Sequence, residues 1–274
     1  MRVSFRLGSC AVPIVLGFLL SGCASTSWLE TMAFGAFGEK PSVDGQDGML
    51  RVAADIEAQG QIASALPIYE RAASTSSDVT SQLRLGDAYM RAGKTDQAIQ
   101  AYRAALVSAP DNPDALLGLG SALFRAGDPD GAVVPLAKVA PMVNTMTAYN
   151  RLGVAQIQAG QFAQAQASFD AASALAPDDL DIRTNLALAA ALDGQETKAI
   201  EATRAVVASP GAQARHRRNL MIVFGLLGRA AEGRAAAPSG LSADEVKRLL
   251  ARATAIRAIS DAKERAKALG TIMG

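Results

Sequence analysis

The side chains that could support catalysis lie far apart in this 274-residue sequence. Its only histidine, His216, stands within Arg215–Arg218, a setting that suits neither a catalytic triad nor a metal site. Gly93-Lys94-Thr95 imitates the end of a phosphate-binding loop, but that loop requires a glycine where this chain has Ala88. A hydrolase or transferase needs several convergent polar groups, and the sequence offers none. We therefore predict a protein that is not an enzyme, with no catalytic residue and no cofactor.

Three aspartates within residues 178–181 raise the question of a cation site. They directly follow Pro177, in a stretch typical of a helix start. An aspartate there accepts hydrogen bonds from free backbone amides and interacts favourably with the helix dipole. Helix capping explains these residues better than metal binding, so we predict no metal site.

Cys23, in contrast, stands where a covalent modification is expected. Two arginines precede the short apolar run Ala11–Leu20, a pattern typical of a secretory signal and too short for a mature membrane span. The run ends in Leu20-Ser21-Gly22-Cys23, which resembles the bacterial lipoprotein box. The resemblance implies that residues 1–22 are a signal peptide and that Cys23 is acylated after cleavage. An ordinary signal peptide cut elsewhere is the alternative.

The residues after the cysteine indicate which membrane holds the chain and how the chain is attached. Ala24 in place of aspartate implies, by resemblance to enterobacterial sorting rules, the outer membrane facing the periplasm; the inner membrane is the alternative. Residues 23–47 are predicted to be the lipidated cysteine and a flexible tether, since small and polar residues are frequent there. Removing residues 1–22 would change the formal charge from +1 to about −1, which offers no general attraction for nucleic acid.

A repeat of helices must position any functional surface. Glycines recur at intervals of 33 or 34 residues, each followed five residues later by a small residue. The six glycines are Gly60, Gly93, Gly127, Gly160, Gly194 and Gly228. This period is typical of a helix-turn-helix unit stacked into a solenoid. Each glycine is expected to end the first helix of its unit, because it adopts a left-handed conformation without strain.

The sequence around these glycines resembles the tetratricopeptide repeat. Leu85–Tyr89 with Gly93, Ala98, Tyr102 and Pro110 matches that repeat almost throughout. The resemblance implies an all-α solenoid of about five to six repeats over residues 48–237. Residues 238–274 are predicted to be a capping helix and tail, beginning with a capping box of Ser242 and Glu245.

In tetratricopeptide arrays the first helix of each repeat lines a concave groove, and that resemblance places six residues on it. We predict a peptide-binding groove formed by Leu83, Met90, Leu117, Phe124, Asn150 and Ile157. Burial against the adjacent repeat is the alternative for each of them.

Arg215, Arg217 and Arg218 form a second candidate surface. Positive charge at a helix start is mildly unfavourable, which leaves room for contact with an acidic partner or anionic lipid. The alternative is a solvated helix start without a binding role.

The arrangement of the whole chain resembles one particular lipoprotein family. A lipoprotein box, repeats, the segment Arg217–Leu220 and the segment Gly228–Glu232 resemble the TadD lipoprotein family of tight-adherence (Flp) pilus systems. The resemblance implies a pilotin-like adaptor that helps a secretin or another pilus assembly subunit reach the membrane. The alternative is a periplasmic lipoprotein that scaffolds peptidoglycan enzymes or outer-membrane assembly. Both imply protein partners and a lipid anchor, without nucleic acid or a small-molecule substrate.

Overall fold

The computed structural model describes residues 45–76 and 78–273, and all regular secondary structure in these residues is α-helical. The expected all-α fold of consecutive helix pairs is confirmed. The predicted signal peptide, Cys23 and most of the predicted tether lie outside the described residues. None of the described helices is long and apolar enough to cross a membrane.

Fourteen helices make up the described part of the chain, twelve of them in six pairs. The first helices of the pairs are α1 (Gln46–Ala58), α3 (Val79–Arg91), α5 (Pro113–Arg125), α7 (Met146–Gln158), α9 (Leu180–Leu192) and α11 (Ala214–Leu226). The second helices are α2 (Ile62–Thr75), α4 (Thr95–Ser108), α6 (Pro129–Val143), α8 (Phe162–Leu175), α10 (Glu196–Val207) and the short α12 (Ala230–Ala236). Two further helices follow, α13 (Ala243–Arg257) and α14 (Ala262–Met273).

The recurrent glycines form the turns between paired helices. All six have a φ between +73° and +81°, the left-handed region that a side chain disfavours. At Gly93 the backbone N–H donates to the Met90 carbonyl at 3.3 Å, and the N–H of Lys94 donates to the Tyr89 carbonyl at 2.8 Å. These bonds satisfy carbonyls that the helix end would otherwise leave free.

Side-chain caps begin several helices, and two of these caps lie at positions predicted from the sequence, the aspartates of residues 178–181 and Ser242. Asn112 Oδ1 accepts from the backbone N–H of Ala115 at 2.9 Å, and Asp179 Oδ1 accepts from that of Ile182 at 3.0 Å. Helix α13 begins with the expected capping box, in which the N–H of Ser242 donates to a Glu245 carboxylate oxygen at 2.8 Å. The three aspartates at 178–181 therefore include a helix cap.

The repeats pack through large residues that fill sites without side chains. A Cβ added at Gly86 would lie 2.7 Å from the Tyr102 ring, and Gly118 of the next repeat lies against the same ring. A Cβ added at Gly153 would lie 2.7 Å from the Phe169 ring. Since carbon atoms in contact are about 3.5–4.0 Å apart, only glycine permits this close approach.

The first helices form the inner side of the solenoid, because successive first helices contact one another along the array. Helix α13 packs mainly on α11, and α14 contacts α7 and α13. The tail after residue 260, whose order the sequence leaves open, therefore continues as a helix placed against the repeats. These contacts divide the inner surface into a part that is covered and a part that is open.

Candidate functional site

Five of the six predicted groove residues lie along one open channel on the first half of the inner surface. We define the open channel as the surface formed by Leu83, Met90, Leu117, Phe124 and Asn150 with their immediate neighbours. It consists of two adjoining clefts of about 730 and 630 Å³. Both clefts are lined by Met90, Ser121, Arg125 and Arg151, so they are continuous.

The apolar residues of the open channel are half-buried. Leu83, Met90, Leu117 and Phe124 pack with one edge against the core formed by Tyr102, Leu123 and Leu136. The rest of each side chain faces the clefts. The same residues therefore stabilise the junction between repeats and offer apolar surface for a ligand.

Ile157, the sixth predicted groove residue, is not part of the open channel. Its side chain is 6% exposed and belongs to a core cluster that also contains Leu269 and Ile272 of α14. The sequence pattern placed Ile157 on the inner side but gave no sign that a later helix covers that half.

Several channel residues were not predicted. Ser121 and Val154 lie three residues before Phe124 and Ile157, and both line the cleft around Phe124. Extending the groove positions one helical turn backwards would have found them, because residues three apart share a helix face. Arg151 and Gln158 at the channel edge carry no comparable sequence signal.

The channel around Phe124 is positively charged. Arg125 donates to the Met90 carbonyl at 2.9 Å, and Arg151 donates to the Ser121 hydroxyl at 3.3 Å. Both guanidinium groups are exposed and line the 630 Å³ cleft, which has no acidic side chain in its lining. An apolar ligand side chain beside a carboxylate would be complementary to this part of the channel.

Arg215 and the histidine of the second candidate surface are engaged within the chain. Arg215 binds Asp181 through two hydrogen bonds of 3.1 and 3.0 Å, and His216 Nε2 lies 2.8 Å from the same carboxylate. Hydrogen bonds from Arg215 lower the pKa of Asp181. His216 is 3% exposed, and its Nδ1 accepts from the backbone N–H of Gln213, so both ring nitrogens have structural partners.

Arg217 and Arg218, the other two arginines of that surface, have different surroundings. Arg218 donates to the Ile272 carbonyl at 3.2 Å and so connects α11 to the end of α14. Arg217 is exposed and lines a separate apolar cleft with Phe224 and Leu220. The three arginines therefore do not converge on one surface. Within residues 45–76 and 78–273 there is also no group of three or more His, Cys, Asp or Glu side chains that could hold a metal ion.

A comparison of this sequence with known protein families agrees with the repeat geometry. The family described as Tetratricopeptide repeat matches residues 83–145 and 150–213, which cover helices from α3 to α10. The matched residues form tetratricopeptide repeats. Proteins of this repeat type are typically non-catalytic scaffolds, and their function lies in the surfaces that the repeats present. None of the curated proteins compared with the chain matches it.

Several solved structures resemble the solenoid. MamA AMB-1 in its P212121 crystal form is 27% identical with a TM-score of 0.55, covering 61% of this chain and 93% of that chain. The MamA RS-1 ArsTM double mutant is 19% identical with a TM-score of 0.57, covering 60% and 93%. YrrB, titled a TPR protein with an unusual peptide-binding site, is 22% identical with a TM-score of 0.55, covering 60% and 86%. For the two structures that are 19% and 22% identical, the likeness concerns the fold alone.

Proposed function

We propose that this tetratricopeptide protein is a non-enzymatic adaptor that is anchored in the outer membrane through acylated Cys23. Its open channel binds an extended or helical peptide of a protein partner. That partner is the secretin or another assembly subunit of a tight-adherence (Flp) pilus, for which the chain serves as a pilotin-like factor. The observation that carries the binding proposal is the uncovered apolar surface at Met90 and Phe124, bordered by Arg125 and Arg151.

The chemistry of the channel defines the peptide it fits. Phe124 and Met90 provide apolar contacts that are already held in place by packing against the repeat core, so little conformational entropy is lost on binding. Arg125 and Arg151 can bind carboxylates in the fork geometry that guanidinium groups favour. We therefore expect a peptide with an apolar anchor next to an acidic residue.

Two similarities support the proposal at different levels. YrrB, which shares the fold, is described as having a peptide-binding site. The lipoprotein box and the segments Arg217–Leu220 and Gly228–Glu232 support the pilus assignment through their resemblance to TadD lipoproteins.

The test is affinity isolation of the tagged full chain from its own cells in mild detergent, followed by mass spectrometry. Phe124→Glu should reduce recovery of the partner at least about tenfold, which is about 1.4 kcal/mol, because it replaces the apolar anchor with a carboxylate that competes with the peptide for Arg125 and Arg151. The matched control is Val107→Glu on α4, since Val107 is 84% exposed and outside the channel. Circular dichroism should show equal helix content in all three proteins.

Each result has a definite meaning. Enrichment of a secretin and pilus assembly subunits with the wild type and Val107→Glu, but not with Phe124→Glu, would support the full proposal. Recovery of peptidoglycan enzymes or outer-membrane assembly factors would overturn the pilus assignment and leave the channel in place. Equal recovery with a folded Phe124→Glu protein would overturn the channel as the binding site.

A further inference from the structure

The last helix of the chain covers the second half of the inner surface. The start of α14 lies at the end of α7, where a Cβ added at Gly160 would be 2.9 Å from the backbone of Ala262 and Lys263. Its end lies at the first turns of α11, where Arg218 donates to the Ile272 carbonyl. Helix α14 therefore runs diagonally across the inner side of the solenoid. This is the same side on which the earlier repeats form the open channel.

Helix α14 makes this contact with one narrow apolar face. Ala266, Leu269 and Ile272 are 4%, 3% and 2% exposed, and all three belong to the core cluster shared with α7, α9 and α11. Lys263 and Lys267 of the same helix are exposed. A helix with buried residues three apart and charged residues elsewhere is amphipathic, as helical ligands of apolar grooves commonly are.

The side chains of the inner surface are smaller where α13 and α14 cover it. Three residues before their glycines, the repeats of the open half present the large side chains of Met90 and Phe124. The equivalent positions in the last two repeats are Ala191 and Gly225. A Cβ added at Gly225 would lie 2.6 Å from the Cβ of Ala253 in α13, so the small residues permit the close approach of a helix.

Two of the polar contacts that hold α14 are exposed, whereas the bond from Arg218 to the Ile272 carbonyl is partly buried. Lys263 forms an ion pair with Asp130 of α6 at 2.8 Å, and the two side chains are 65% and 54% exposed. Arg252 of α13 donates to the Thr271 carbonyl at 3.0 Å from an exposed position. Exposed ion pairs contribute little to stability, so the apolar face provides most of the attachment. A short link, residues 258–261, joins α14 to α13, so α14 follows the six helix pairs in the chain and is not part of any pair.

We propose that the surface beneath α14, formed by α7, α9 and α11, is a binding surface for an amphipathic helix of a partner protein. The helix it fits has small or aliphatic residues at positions i, i+3 and i+6 and a lysine at i−3, which pairs with Asp130. Helix α14 occupies this surface within its own chain and is displaced when the partner helix binds. The inference concerns a different part of the inner surface from the open channel, and it does not depend on the identity of the pilus partner.

The test uses the full chain in detergent and a fluorescent synthetic peptide of residues 261–273 as the helical probe. The variant is Leu269→Gln, which weakens the apolar face of α14. The matched control is Lys267→Gln, which introduces the same side chain at an exposed position of the same helix. We expect Leu269→Gln to bind the peptide at least about tenfold more tightly than the wild type, because apparent affinity rises with the fraction of molecules whose surface is vacant. Lys267→Gln should bind as the wild type does.

Hydrogen exchange of the wild type provides a second, independent measurement. Amides of α14 should exchange at least about tenfold faster than amides of α9, because a helix that leaves its surface opens without global unfolding. Equal exchange of α14 and α9, or a loss of helix content in Leu269→Gln that exceeds the 12 residues of α14, would overturn the proposal and make α14 an integral cap. A wild-type dimer that exchanges α14 between copies would overturn the assignment to a partner helix in favour of a second copy. None of these results depends on the Phe124 experiment.

Discussion

The contact between Gly160 and α14 can be tested by a single methyl group. Gly160→Ala would place a Cβ 2.9 Å from the carbonyl carbon of Ala262 and from the backbone nitrogen of Lys263. Gly127→Ala is the matched control, because Gly127 forms the same turn with a φ of +81° and has no atom within 4 Å of an added Cβ. The two variants share the backbone strain and differ in the collision with α14.

The expected magnitudes follow from these two terms. A side chain in the left-handed region costs about 1–2 kcal/mol, so both variants should lose that much stability. At Gly160 the colliding atoms belong to the backbone and cannot rotate away, and such overpacking costs typically about 1–3 kcal/mol more. Complete release of α14 sets an upper limit of about 3–6 kcal/mol for this second term, because burial of Leu269 and of Ile272 contributes about 1.5–3 kcal/mol each. We expect Gly160→Ala to be the less stable variant by about 1–3 kcal/mol.

Urea unfolding followed by circular dichroism measures the difference in the free energy of unfolding. Hydrogen exchange identifies the region that loses stability: amides of α14 should exchange faster in Gly160→Ala than in Gly127→Ala, with α1 and α3 unchanged. Equal unfolding free energies and equal exchange of α14 in the two variants would refute the contact between the Gly160 turn and α14.

Two further predictions concern the tyrosines and the anchor. Burial and a hydrogen bond to Glu57 raise the pKa of Tyr69 to about 12, and burial with a bond to Asp87 raises that of Tyr102 as well. Because these folded-state pKa values exceed the unfolded value of about 10, the stabilising effect of Tyr69 is complete below about pH 10 and is lost as the pH rises through about 12, and Tyr102 acts in the same direction. The urea midpoint should fall over that range together with the appearance of tyrosinate absorbance; a constant midpoint would contradict the assignment. Cys23→Ala should move the full chain from the membrane fraction to the soluble fraction, and a variant that still sediments with membranes would contradict the anchor.

The repeat architecture could be predicted because its determinants are local. A glycine at a fixed interval ends each first helix through its own φ angle, whatever the rest of the chain does. The caps at Asn112, Asp179 and Ser242 depend on residues three positions away. The pairing of large residues such as Phe169 with Gly153 repeats with the same period and is therefore visible in the sequence.

The candidate site was predictable to a smaller extent. The resemblance to tetratricopeptide repeats, combined with helical periodicity, placed Met90 and Phe124 on the inner side, where the structure shows the open channel. The same rule placed Ile157 there, although it is buried in a core that includes α14. Periodicity identifies a face of one helix, but whether that face meets solvent depends on segments far away in the sequence.

By itself, the sequence determined the helices, their turns and their stacking, since each follows from interactions within one repeat or between neighbouring repeats. Only the tertiary structure decided which half of the inner surface is available. The ion pair of Lys263 with Asp130 joins residues 133 positions apart, and the burial of Ile272 beside α11 arises in the same way. Such contacts carry no period, because they depend on where the chain returns after the last repeat. The physical reason is that local backbone preferences specify a helix but not where it packs. The packing position depends on which apolar surface is still exposed once the repeats have folded.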